Sequence, residues 1–208
     1  MTQTCFIHIG AEKCGSTSIQ QSLEINHSIL KENNLLVPKG LGRDTAPLNH
    51  TKFVVASYKE NQKDDLTSFF YRDQTRELFL TKFNQIIKEK EKFIKSKNYN
   101  VLITAEHFSS RLRNENIGNF KKLVQNFSEN CKIIFIVRNQ IKWHISAYST
   151  HVSCGGQLKF SEWIVKSVQQ RSADWEYIFS QWAKYFSTNN MIVLPLTEKY
   201  NKASLEDR

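Results

Sequence analysis

Short continuous apolar runs alternate along this chain with longer stretches in which apolar residues recur every three or four positions. The runs at 4–9, 101–104 and 132–137 are mostly apolar, without the polar alternation of a half-exposed strand, as strands buried on both faces are. Residues 191–195 read as a last short strand and 35–38 as the end of another. Helical spacing predicts helices over 16–26, 74–97, 115–127, 140–150, 160–170 and 174–187. In the longest of these Leu78, Phe79, Phe83, Ile86, Ile87 and Phe93 form an apolar stripe, and Lys88, Lys90, Lys92, Lys95 and Lys97 read as its solvated face. A short helix facing the site is predicted over 50–58, and a turn over 40–44. No repeat or low-complexity linker divides residues 1–208, so a single domain is predicted. Strands alternating with helices predict an α/β fold, a three-layer arrangement with a central parallel sheet and helices on both faces. In such sheets the ligand crevice lies beyond the carboxyl ends of the strands. Lys13, Glu106 and Arg138 all fall just past predicted strand ends.

The first strand leads into Gly10-Ala11-Glu12-Lys13-Cys14-Gly15-Ser16-Thr17-Ser18. A Gly-bounded turn opening a helix exposes successive backbone N–H groups, and the helix N-terminus adds partial positive charge, so the segment suits a phosphate. Gly10 and Gly15 bracket four residues, as in a Walker P-loop. The position of the Walker lysine is Ser16, however, and the lysine sits inside the turn at Lys13. A lysine there can reach the bridging oxygen of a donor's 5′ group.

Lys13-Cys14-Gly15-Ser16-Thr17-Ser18 resembles the 5′-phosphosulfate loop of sulfotransferases that use 3′-phosphoadenosine 5′-phosphosulfate (PAPS). The segment 132–148 is similar to a second motif of that family: a buried strand, then Arg138, then a helix with Ser146 eight residues beyond the arginine. The resemblance is sharp only near 6–23 and 132–150. It implies a P-loop-like fold, PAPS as sulfuryl donor, and a grip on the donor's 3′-phosphate by Arg138 and Ser146. Arginine offers a planar fork for that phosphate which lysine cannot copy. It also implies that the backbone of Cys14, Gly15, Ser16, Thr17 and Ser18 cradles the 5′-phosphate, helped by the three hydroxyls. Lys13 then serves the leaving group, and Ser146 restrains that lysine until the acceptor arrives. The segment 182–186 is similar to bacterial and carbohydrate-directed members, which favours a carbohydrate or glycolipid acceptor.

Sulfuryl transfer also needs a base for the acceptor's proton. The strand at 101–104 runs on into Glu106 and His107, two candidate bases in succession. Successive strand residues point to opposite faces, so only one is expected to face the site, and Glu106 is preferred over His107. His8 reads as a core histidine. His50, His144 and His151 can line an acceptor pocket, although nothing in the sequence separates them from surface histidines. Trp175, Ile178, Trp182 and Tyr185 have the spacing of a core stripe rather than a stacking platform. Cys14 reads as a small residue that fits the turn.

Composition narrows the picture. The formal charge of +9 calls for an anionic partner, and a nucleotide donor accounts for a local part of it. No basic cluster interleaved with aromatics points to nucleic acid. No apolar run reaches membrane-spanning length and no signal peptide is evident, while four scattered cysteines read as reduced thiols of a cytoplasmic protein. No metal is expected, since lysine, arginine and a helix N-terminus neutralise the donor. Two other classes fit less well. A P-loop small-molecule kinase needs a lysine at position 16 and a Walker-B aspartate. A non-enzymatic basic module that binds polyanions such as nucleic acid or sulfated glycans predicts steeply salt-dependent binding with no preference for PAPS. One departure from the family is visible: residues 199–208 carry no Arg-Lys-Gly segment to close the nucleotide site, so the subgroup closes it differently or the chain is a shortened form.

Overall fold

The computed structural model of the chain describes residues 3–197. The absent Arg-Lys-Gly segment at 199–208 lies outside the described residues. Five strands are present among them: β1 (Cys5–His8), β2 (Leu35–Leu36), β3 (Asn100–Thr104), β4 (Cys131–Val137) and β5 (Met191–Pro195). They form one sheet in the order β2-β3-β1-β4-β5, every pair parallel. β1 lies at the centre, with Cys5 opposite Val101 on one side and Cys131 on the other. The predicted strands and their parallel arrangement are thus present.

The chain crosses between strands through α1 (Ser16–Ile25), α2 (His27–Glu32), α3 (Lys52–Ala56), α4 (Asp65–Phe70), α5 (Arg76–Lys97), α6 (His107–Arg111), α7 (Glu115–Val124), α8 (Gln140–Ser153), α9 (Phe160–Ser167) and α10 (Trp175–Phe186). Polar caps start several of them. Asp174 accepts from the Tyr177 N–H at the head of α10, Asn139 from the Lys142 N–H at α8, and Asp64 from the Thr67 N–H at α4. None of the described helices is long and apolar enough to cross a membrane.

The sheet's two faces are unequally covered. Cys5, Ile7, Val101, Ile103, Ile133 and Phe135 point into the main core. There Phe53 of α3 meets Phe83, Phe120 and Phe127 edge-on, and Phe120 meets Trp182. On the other face Phe6, Leu102 and Ile134 form a smaller cluster with Leu23 and Leu30. Cover thins at β5, where Ile192, Val193 and Leu194 are exposed.

Two local readings are corrected. The buried positions of α5 are Phe79, Phe83, Ile87 and Ile94, whereas Leu78 and Phe93 face outward. The true stripe follows steps of four and seven, and Leu78 and Phe93 each sit one residue off it. The helix predicted over 50–58 spans only Lys52–Ala56, and its Phe53, Val54 and Val55 are core rather than site residues. His50 before it is fully buried. Its Nδ1 accepts the Thr104 N–H at 2.9 Å and its Nε2 donates to the Pro38 carbonyl at 2.7 Å, so both ring nitrogens are engaged by backbone.

Candidate active site

The turn between β1 and α1 is built from left-handed backbone. Gly10, Lys13 and Gly15 have φ of 55°, 64° and 82°. At Gly10 a Cβ would lie 2.7 Å from the Glu106 Cα, so the position is closed to any side chain. Lys13 holds its conformation against a cost of about 1–2 kcal/mol for an L-residue in that region. Gly15 fills the N-cap position of α1 with no side-chain cap, which leaves the first-turn N–H groups free for a ligand. We expect Gly10→Ala to destabilise the fold by about 3 kcal/mol, from positive φ plus overpacking against backbone. Denaturant unfolding that matched the wild type within about 0.5 kcal/mol would show the contact to be soft.

The far side of the turn is fastened by β4 and α8. The Trp143 Nε1–H donates to the Glu12 carbonyl at 2.6 Å, and the Arg138 Nη1–H to the Lys13 carbonyl at 3.2 Å. The Trp175 Nε1–H in turn holds the Arg138 carbonyl at 3.1 Å. Lys13 and Arg138, 125 positions apart, are therefore neighbours across one hydrogen bond. Ser146 lies half-buried on α8, one turn beyond Trp143. Thr17 and Ser18 are exposed at the start of α1, whereas Cys14 is buried in the turn. Burial pushes the Cys14 thiol up to about 11, with Arg138 opposing, so it serves as a packing residue and not a thiolate.

The two candidate bases stand on a helix rather than on the expected strand. β3 stops at Thr104, and Glu106 and His107 belong to the start of α6, where strand alternation no longer applies. They diverge to opposite sides of the turn. Glu106 Oε2 accepts the Ser16 hydroxyl at 2.7 Å, so that hydroxyl is engaged by protein. His107 Nδ1 lies 3.8 Å from Glu12 Oε1, within ion-pair distance but too long for a hydrogen bond. The imidazole beside it, with Ser110 and Arg111 behind, holds the Glu12 carboxyl below the ordinary carboxylate range against the opposing effect of burial. Arg111 continues the chain of charges to Asp64 at 3.3 Å and Asp65 at 2.9 Å.

A cavity of about 430 Å³ opens over the turn, with Glu12 and Lys13 on its floor and Trp143, His151 and Trp163 in its walls. Trp163 packs on Tyr148 and His151 with ring centroids 5.5 and 6.2 Å apart. Gly156 lies so close to the His151 ring that a Cβ there would sit 2.2 Å from it. Of the three histidines considered for a pocket, His151 lines this cavity. His144 is buried and bonds Ser167 Oγ at 2.9 Å. Glu106, His107, Arg138 and Ser146 are outside the cavity lining. Sequence reasoning missed Glu12, whose signal was its place beside Lys13 inside the turn, and Trp163, which had none.

A solved sulfotransferase has this fold. The protein, from Alicyclobacillus acidocaldarius, matches with a TM-score of 0.51 at 14% identity, over 99% of this chain and 78% of its own. At that identity the likeness is one of fold: a parallel sheet flanked by helices, with P-loop-like topology. No family model and no curated protein sequence matches the chain.

Proposed function

We propose that this protein transfers a sulfuryl group from PAPS to an acceptor hydroxyl, on a carbohydrate or glycolipid. The observation that carries the reading is the hydrogen bond from Arg138 to the backbone of Lys13. It sets a planar guanidinium beside the uncapped helix and the lysine, as a donor charged at both its 5′ and 3′ positions requires. The fold shared with a protein described as a sulfotransferase supports the same class of reaction. In this reading the backbone of Cys14 to Ser18 cradles the 5′-phosphate, and Arg138 with Ser146 holds the 3′-phosphate. Lys13 faces the bridging oxygen and stabilises its charge as it leaves. The acceptor's proton goes to a base at the head of α6, Glu106 or His107. The four free cysteines, three of them buried, suit a cytoplasmic setting.

One observation favours a second reading. Ser16 and Glu106 pair at 2.7 Å where the strand next to β1 ends, which sets a hydroxyl and an acid together on the edge where a P-loop kinase holds its magnesium. Against it stand Ser16 in place of the Walker lysine and Lys13 inside the turn. Calorimetry with 3′-phosphoadenosine 5′-phosphate and with ATP separates the two. We expect tighter binding of the bisphosphate, and about a 10²-fold loss of that binding in Arg138→Ala, the scale of a charged hydrogen-bond pair. Equal affinity for both nucleotides in the wild type rejects the 3′-phosphate grip. Steeply salt-dependent binding without preference between them points to a polyanion module instead.

A further inference from the structure

We infer that Glu12, backed by His107, is the group that takes the acceptor's proton. This rests on the sulfotransfer reading above and replaces its less defined base. Three observations place Glu12 ahead of Glu106. Glu12 shares the cavity floor with Lys13, and Glu106 is outside that lining. The Glu12 side chain is 38% exposed, so an acceptor can reach it. One Glu106 oxygen is already occupied by Ser16. The Glu12 backbone is also fixed, because its carbonyl is held by Trp143 at 2.6 Å. A base and a leaving-group cation on consecutive residues of one rigid turn keep a constant separation, which is what proximity catalysis needs.

The groups facing Glu12 set its charge. Lys13 is its neighbour in the turn, His107 stands 3.8 Å away, and Ser110, Arg111 and Arg113 lie behind on and just beyond α6. His107, Ser110 and Arg111 keep it ionised. In the step, the acceptor oxygen gives its proton to the Glu12 carboxylate and forms the new O–S bond. The bond from sulfur to the bridging oxygen breaks, and its electron pair leaves on adenosine 3′,5′-bisphosphate beside Lys13. His107 is a positioning residue that holds the carboxylate.

The test uses the full chain with PAPS and, as acceptors, water, a phenol and a simple hexose, with sulfate or sulfate-ester formation as readout. Glu12→Gln is expected to lower kcat about 10²-fold, the usual scale of a positioned base. Its affinity for 3′-phosphoadenosine 5′-phosphate by calorimetry should stay at the wild-type value. Glu12→Asp should recover part of the rate. Wild-type rate in Glu12→Gln with intact nucleotide binding overturns the assignment and leaves the parent reading standing. A wild-type protein that binds the bisphosphate yet transfers to none of the acceptors overturns it as well. Failure to bind the bisphosphate removes the parent reading itself.

Discussion

Acidifying the protein from pH 6.5 to pH 4 is expected to remove about 6 kcal/mol of folding stability, mostly through two histidines. His8 and His50 are buried, and burial lowers both from 6.5 to about 4. The folded state therefore keeps both imidazoles neutral where the unfolded chain has protonated them. Between those pH values the unfolded chain binds more protons, so stability rises with pH across the window and is fully present above about 6.5. A shift of about 2.5 units at 1.36 kcal/mol per unit gives about 3 kcal/mol for each residue. The sum approaches the whole stability of an ordinary domain. The structure explains the preference for the neutral form. His50 accepts the Thr104 N–H through Nδ1, and a proton there would cost that bond at the end of β3. His8 has Thr104 Oγ1 at 2.8 Å from Nδ1, while its Nε2 is buried with no partner for a second proton. His144, also lowered by burial, acts in the same direction. Glu12, held low, works in a separate window: its contribution is present above the usual carboxylate range and fades only as pH falls below it. Urea unfolding at pH 7, 5.5 and 4.5 checks this. Flat stability over that range, or a slope unchanged in His8→Gln, would contradict the assignment.

These residues also mark where the sequence stopped being legible. β1, β3 and β4 were legible because each is a continuous apolar run of strand length, a pattern that few alternatives share. The meeting of Lys13 with Arg138 followed from the rule that strand ends gather on one edge of a parallel sheet. His50 was not legible. It sits between Asn49 and Thr51 in a polar stretch, and its partners Pro38 and Thr104 are brought to it only by the fold. Glu106 and His107 do take opposite sides, as expected, but from the start of α6 rather than as neighbours on a strand, because β3 ends at Thr104. The strand ends there because Gly10 approaches the Glu106 backbone and the Ser109 N–H turns back to the Ile9 carbonyl at 3.1 Å. That same bend is what brings His107 to Glu12, so the pairing was not legible even though Glu12 stands beside Lys13 in the turn.

Replacing Lys13 by methionine is expected to lower sulfuryl transfer by about 10³-fold, the upper range for loss of one group that stabilises developing charge. Nucleotide affinity should fall far less, because the backbone N–H groups of the turn, the uncapped α1 and Arg138 all remain. The distinction is physical. An ammonium that meets the bridging oxygen only as the S–O bond breaks contributes to kcat, whereas one that merely neutralises phosphate contributes equally to binding. Methionine keeps the length and most of the packing of lysine while removing the charge. Lys13→Gly adds a second view. The residue has φ of 64°, a region glycine enters freely, so relief of strain of about 1 kcal/mol offsets the entropy that glycine adds to the unfolded chain. Lys13→Gly should thus fold as stably as the wild type within about 1 kcal/mol and still be inactive, which separates loss of chemistry from loss of fold. Single-turnover sulfate formation from PAPS, set beside calorimetry with 3′-phosphoadenosine 5′-phosphate, reads both quantities. Equal losses of rate and affinity in Lys13→Met would reduce the lysine to a phosphate contact and move the leaving-group role to Arg138.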